Sequence, residues 1–173
     1  MELDGEPTSP AANHLFEVDG NRIKLKPEQK NPFHELVAKL LFLGKRARPD
    51  LQTAISFLST RVREPDTDDY KKLIRLMKYL NSTKYIPLTL EADNSGCIRW
   101  WVDASFAVHP DMKSHSGSMM SMWQGASISV SKKQKLNTKR STESEISGVD
   151  DYMPMIILVK YFLKAQGYTV SNN

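Results

Sequence analysis

The sequence predicts a mixed α+β protein, in which three short helices precede a three-stranded antiparallel sheet and two further helices. Apolar residues first recur at helical spacing, the pattern then changes to the alternation of strands, and helical spacing returns towards the end. We expect a poorly ordered lead-in at residues 1–31, a helical segment at 32–85 and an α+β domain at 86–173.

Start and stop residues delimit the helical segment. Asn31 and Pro32 suit the N-cap and the first position of a helix, and Gly44 suits its end. A second helix is predicted to begin at Pro49 and to stop before Pro65. Three short helices with brief connections are expected to pack as a small bundle.

The third helix is predicted to begin near Asp66 and carries an adjacent pair of acids, Asp68 and Asp69. Paired aspartates also occur at the metal sites of polymerases. The helix dipole favours acids in a first turn, so we interpret this pair as part of the helix start.

The strands are predicted from alternating and strongly apolar runs. They are "CIRWWVDASF", "GSMMSMW" and "ASISVSKKQ", and Gln124-Gly125 is predicted to turn between the last two. Ser141 or Thr142 then caps a helix. A second helix is predicted from Pro154 near its start to Gly167 at its end.

Composition excludes several classes of protein. Cys97 is the single cysteine, so an internal disulfide is excluded, and the four histidines show no zinc-ligand spacing. A net charge of +4 leans only mildly towards polyanions. The N-terminus does not resemble a signal peptide, and no apolar run reaches the roughly 20 residues of a membrane span. We expect a cytoplasmic or nuclear protein that is neither secreted nor membrane-bound.

Two carboxylates are candidates for metal chemistry. Asp103 ends an apolar strand, where an unpaired carboxylate is costly unless it binds a cation or accepts backbone hydrogen bonds in the following loop. Glu143 lies in the first turn of the next helix, where it could instead complete a capping box. Together they could bind Mg²⁺, although two Mg²⁺ ions usually need more ligands.

A basic run follows the third predicted strand, and its cations are Lys132, Lys133, Lys135, Lys139 and Arg140. Most such runs are solvated loops. The functional alternative is contact with the phosphates of a duplex, which would be independent of sequence and sensitive to salt.

Several motifs occur in an order that resembles copia-type retrotransposon Pol polyproteins. The run "RPD…A…FLS…P…Y…L.R…YL…T" is similar to the end of the reverse transcriptase region. "VDASFAVHPDMKSHSG" and "SISVSKKQKLNTKRSTESE" resemble the start of the RNase H domain that follows it. The resemblance extends over most of residues 32–170.

The resemblance implies a partial RNase H-like fold and Mg²⁺-dependent cleavage of RNA in an RNA–DNA hybrid. Asp103 and Glu143 match the first two catalytic carboxylates, with Glu145 as the alternative to Glu143 and as a further metal ligand. The basic run would then contact the hybrid backbone.

The later acids of the family have no match in this chain, nor do the paired aspartates of the polymerase. We therefore expect weak or absent Mg²⁺ binding and little nuclease activity. An incomplete sheet would also leave an exposed edge through which the chain could self-associate.

Overall fold

Helices form the first part of the chain, and a sheet with one long helix forms the second. The computed structural model describes residues 5–172. The chain divides into two compact units, unit 1 at Met1–Pro87 and unit 2 at Leu88–Asn173. The mixed α+β fold class predicted from the sequence is confirmed.

The described part of unit 1, residues 5–87, is built from three α-helices around one apolar core. The elements are α1 at Pro27–Arg46, a 3-10 turn at Pro49–Leu51, α2 at Gln52–Arg61 and α3 at Thr67–Ser82. The core draws on every one of these elements and includes Phe33, Leu51, Phe57, Leu58, Leu73 and Leu76. Burial of apolar side chains between the helices therefore stabilises this unit.

Helix α1 differs at both ends from the sequence prediction. It begins at Pro27, because Lys26 is extended and Pro27 already supplies a first helical residue, and Pro32 lies inside the helix. It continues past Gly44 to Arg46. A Cβ on Gly44 would lie 3.0 Å from the Ile55 side chain, so this glycine lets α1 and α2 approach closely.

The start of α3 confirms the interpretation of its acids. The Asp66 side chain accepts hydrogen bonds from the backbone N–H groups of Asp68 and Asp69, at 2.8 and 2.9 Å. The Asp69 carboxylate accepts in return from the Asp66 N–H at 3.0 Å, which completes a capping box. Arg61 lies within 3.2 Å of Asp66 and 3.0 Å of Asp69, so its single positive charge offsets part of the charge of the two buried acids.

The segment before α1 packs against the helices of unit 1. Leu15 is buried in the core of unit 1, and the Phe16 ring packs edge-on against Phe57 at 5.5 Å. Lys72 Nζ donates a hydrogen bond to the Glu17 carbonyl at 2.6 Å. The described part of residues 1–31 therefore contacts the core of unit 1, and residues 1–4 lie outside the described residues.

The described residues of unit 2, 88–172, contain six strands and one helix. They are β1 at Glu91–Ala92, β2 at Cys97–Ser105, β3 at His115–Ser121, β4 at Trp123–Gln124, β5 at Ile128–Lys133, α4 at Ser141–Ala165 and β6 at Ser171–Asn172. The main sheet has the order β5-β3-β2-β6, and β1 pairs with β4 in a small second sheet. Strands β2, β3 and β5 run antiparallel in sequence, as predicted.

Two details of this unit correct the prediction. Strand β6 adds a short parallel pairing to β2, so the main sheet has four strands rather than three. The two predicted C-terminal helices are one continuous helix with Pro154 inside it. Proline deprives the Asp150 carbonyl of its helical partner. Both residues are exposed, so water can satisfy that carbonyl.

Helix α4 packs on one face of the main sheet. Ile98, Trp100 and Met120 form the buried centre, and Met155, Ile156, Val159 and Leu163 of α4 cover them. At the other end of the helix, a Cβ on Gly148 would lie 3.6 Å from Val102 and 3.7 Å from Ala104. The first half of α4 therefore lies close to the second half of β2.

Candidate nucleic-acid interface and the carboxylates beside it

Asp103 lies on the open face of the sheet. Val102 and Ala104 face α4, and side chains alternate along a strand, so Asp103 projects from the opposite face. It is exposed, its partner on β3 is Gly117, and β2 continues two residues beyond it to Ser105. The sequence places Asp103 at the strand end, whereas the structure places it inside the paired region.

The two glutamates of α4 have different surroundings. Glu143 is exposed, and its Oε2 accepts a hydrogen bond from the Lys139 backbone N–H at 2.7 Å. Arg140 is the N-cap, rather than Ser141 or Thr142, so Glu143 satisfies a donor just before the helix. Glu145 is half-buried, one residue beyond the buried Ser144.

These carboxylates do not form a complete magnesium site. Glu143 and Glu145 belong to the helix on one face of the sheet, and Asp103 projects from the other. Among residues 5–172, no group of three or more His, Cys, Asp or Glu side chains is arranged to hold a metal ion. The donor set therefore does not fit the two-ion arrangement of phosphodiester hydrolysis.

Two cations of the basic run are held by acids of unit 2. Lys132 Nζ lies 3.2 Å from Asp151 and 4.8 Å from the centre of the Tyr152 ring. Lys133 Nζ lies 2.7 Å from Asp111 on the opposite face of the sheet. These contacts neutralise part of the charge that β5 contributes.

The other three cations lie in the loop between β5 and α4 and are exposed. They are Lys135, Lys139 and Arg140. None of them forms an ion pair with another residue in the 5–172 range. They precede the N-terminal end of α4, where the helix dipole adds partial positive charge. This loop is the most cationic free surface that the basic run provides.

Gln134 anchors that loop. Its side chain is buried, and its Nε2 donates to Ser116 Oγ at 2.6 Å and to the Ser144 carbonyl at 2.9 Å. Its backbone N–H donates to the Ser114 carbonyl at 2.9 Å. One glutamine thus joins β5, β3 and the first turn of α4. Sequence reasoning missed this role, and the only signal was an uncharged residue inside a run of lysines.

A histidine pair lies beside the same strands. His109 Nε2 and His115 Nδ1 are 3.0 Å apart, and His115 Nε2 lies 2.7 Å from Ser131 Oγ. Burial lowers the pKa of both imidazoles to about 4. The charge of Lys133 adds to this effect at His109, and His109 adds to it at His115. The sequence shows only scattered histidines. His109 and His115 come together because the chain turns tightly between them.

The class of protein that these observations define is an α+β chain with a cationic loop fixed to its sheet. The chain is 27% identical over 120 residues to the transposon Ty5-1 protein YCL074W of Saccharomyces cerevisiae. That match covers 69% of this chain but only 38% of the yeast protein. The chain is therefore similar in sequence to a transposon protein and spans well under half of its length.

A second relative has a different name. The chain is 26% identical over 121 residues to the secreted RxLR effector protein 161 of Plasmopara viticola, with 69% of this chain and 85% of that protein covered. No protein-family profile matches the chain. No solved structure matches it either.

Within residues 5–172, no helix combines the length and the apolar character that crossing a bilayer requires.

Proposed function

We propose that the chain is part of a copia-type retrotransposon Pol polyprotein. Unit 1 would come from the end of the reverse transcriptase region and unit 2 from the first part of an RNase H-like domain. The similarity to the Ty5-1 protein supports this proposal. The order of three antiparallel strands followed by a helix in unit 2 agrees with what the resemblance implies.

Within that polyprotein, unit 2 binds the backbone of an RNA–DNA hybrid through the loop between β5 and α4. The observation that carries this proposal is the attachment of Gln134 to both β3 and α4. Because the loop is fixed at that point, Lys135, Lys139 and Arg140 are presented to a ligand with little loss of backbone entropy. Phosphate contacts of this kind position a duplex without reading its sequence.

Lys132 and Lys133 take a smaller part in this binding. Each already has an acidic partner within 3.2 Å, and a phosphate would have to compete with that partner. We therefore expect their replacement to weaken binding less than replacement of the three exposed cations.

Hydrolysis of the RNA strand is not expected of this chain alone. Two Mg²⁺ ions would supply the clamp on the attacking and leaving oxygens. Asp103 could offer one exposed carboxylate to such an ion, and Glu145 could offer a half-buried one. However, Asp103 projects from the face of the sheet opposite to the one that α4 covers. A labelled hybrid incubated with Mg²⁺ should remain intact, and robust cleavage that Asp103→Asn abolishes would refute this part of the proposal.

The same geometry favours a second candidate, a non-catalytic nucleic-acid-binding module that acts without the rest of a polyprotein. A non-catalytic module needs no metal site. Glu143 instead accepts a backbone hydrogen bond beside the helix start, and the carboxylates of the described residues do not gather into a group of three or more ligands. The two candidate functions predict different nuclease activity when the remaining part of a Pol polyprotein is added to this chain. Only a polyprotein part should gain nuclease activity from the remaining RNase H segments supplied in trans.

Binding is tested by fluorescence anisotropy with a labelled RNA–DNA hybrid over a series of salt concentrations. The triple variant Lys135→Ala, Lys139→Ala, Arg140→Ala should bind about 10-fold more weakly near 0.1 M salt. The slope of log K against log salt should also become shallower by about 3, because three fewer phosphate contacts release fewer counterions.

A matched control removes three exposed cations of unit 1 with Lys26→Ala, Lys45→Ala and Arg63→Ala. It changes the net charge equally, so any effect of overall charge should appear in both variants. Equal loss of affinity in the two triple variants, or binding that does not depend on salt, would refute the loop as the binding site.

A further inference from the structure

Helix α4 exposes an apolar stripe on the side away from the sheet. The stripe has an apolar centre and a charged residue at each end. At helical spacing its members are Asp150, Met153, Ile157, Tyr161 and Lys164. Met153, Ile157 and Tyr161 are 41%, 45% and 65% exposed. Large apolar side chains grouped in this way on a surface indicate an interaction site.

The stripe is symmetric about Ile157. Met153 and Tyr161 lie four residues before and after it, and Asp150 and Lys164 lie seven residues before and after it. The acid and the base are both exposed, and neither forms an ion pair with another described residue. When such a helix packs antiparallel on a copy of itself, each Asp150 faces the Lys164 of the other copy.

We propose that two copies of this chain associate through this stripe, with α4 packed antiparallel on α4 around a two-fold axis at Ile157. A two-fold interface needs a self-complementary surface, in which residue i meets residue j and j meets i. The stripe meets that requirement in charge and in apolar side chains. The shallow depression beside Pro154, lined also by Ile157 and Leu158, can receive a side chain of the partner helix.

This interface differs from the sheet edge that the sequence suggested for self-association. Strand β6 pairs only with Cys97 and Ile98, so the outer edge of β2 from residue 99 to 105 has no strand partner among the described residues. The opposite charges along that edge are already partly engaged, because Arg99 forms an ion pair with Asp93 at 2.9 Å. The complementary ends of the α4 stripe therefore favour helix pairing.

Sedimentation velocity over a concentration series tests the association. A single helix pair is a small interface, so we expect a dissociation constant on the order of 10 μM for the unaltered chain. Ile157→Lys places two like charges at the axis and should weaken association at least about 100-fold. A chain that stays monomeric at all concentrations would overturn the proposal.

Charge reversal tests the antiparallel arrangement. Asp150→Lys and Lys164→Asp should each weaken association roughly 10-fold, because each acts twice in a two-fold dimer. The double variant exchanges the charges and should restore association. Glu28→Lys, an exposed charge reversal on α1, is the control and should have no effect. Association that resists all the α4 substitutions would overturn the proposal and assign the contact to another surface.

Cross-linking distinguishes antiparallel from parallel pairing in a Cys97→Ser background. Ile157→Cys should form a disulfide-linked dimer in either case. Met153→Cys mixed with Tyr161→Cys should cross-link efficiently only in the antiparallel dimer, whereas Met153→Cys alone should cross-link efficiently only in a parallel one. Efficient linkage of Met153→Cys to itself would overturn the arrangement. Circular dichroism of each variant checks that α4 remains folded.

Discussion

The Gln134 side chain donates to the carbonyl of Ser144 at 2.9 Å and thereby joins the end of the sheet to the first turn of α4. This bond crosses the loop that carries the exposed cations. It explains why a glutamine follows two lysines there, since a charged side chain could not be buried at that point without a partner.

Gln134→Ala should lower the free energy of unfolding of unit 2 by about 2–4 kcal/mol. The substitution removes two side-chain hydrogen bonds and leaves a cavity beside Ser116. Urea unfolding followed by tryptophan fluorescence measures the effect, because all three tryptophans lie in unit 2. Lys135→Ala is the control, since that side chain is exposed and should change stability by less than about 0.5 kcal/mol.

Unit 2 should become less stable as the pH falls from about 6.5 to about 4. Burial lowers the pKa of His109 and His115 to about 4, whereas an unfolded histidine titrates near 6.5. In that window the unfolded chain binds more protons, so acid favours unfolding. Two histidines give a slope of at most about 3 kcal/mol per pH unit.

The histidine origin of that slope is checked by variants. His109→Gln with His115→Gln should flatten the dependence of the unfolding free energy on pH in this window. The control His34→Gln alters an exposed histidine of unit 1 and should leave the tryptophan-detected curve unchanged. A slope that persists in the double variant would assign the acid sensitivity to other groups.

Gly148 should accept alanine but not leucine. A Cβ would lie 3.4 Å from Ser116 Oγ and 3.6 Å from Val102, which is ordinary contact. Alanine should stabilise the helix by up to about 1 kcal/mol, because glycine is unfavourable inside a helix. Leucine should cost more than about 2 kcal/mol by forcing α4 away from the sheet. Equal stability of the two variants in urea would show that the helix does not pack this closely.

Arg61→Met should destabilise unit 1 by about 3 kcal/mol. It leaves the buried carboxylates of Asp66 and Asp69 without their cation. Both carboxylates must stay buried, because they form the capping box of α3. Helical circular dichroism during urea unfolding reports the effect. Arg63→Met changes an exposed arginine two residues later and should be nearly neutral. Similar losses in both variants would contradict the role of the buried network.

Local signals in the sequence were sufficient to predict most elements but not their limits. The β-rich, strongly apolar run of β2 and the acids at the start of α3 correctly predicted a strand and a helix start. Pro27 and Pro32 both satisfy the rule for a first helical residue, and the helix begins at Pro27. Pro154 suggested a break, but the exposed carbonyl that it leaves needs no protein partner.

The sequence by itself determined the α+β class and the location of the basic run and the candidate carboxylates. Tertiary structure decided which of those charges remain free. Lys132 and Lys133 meet acids that are distant in the chain, and His109 meets His115 through a turn. The face on which Asp103 lies also depends on where α4 packs. Such pairings depend on through-space distances between elements, and residue spacing along a chain does not specify those distances.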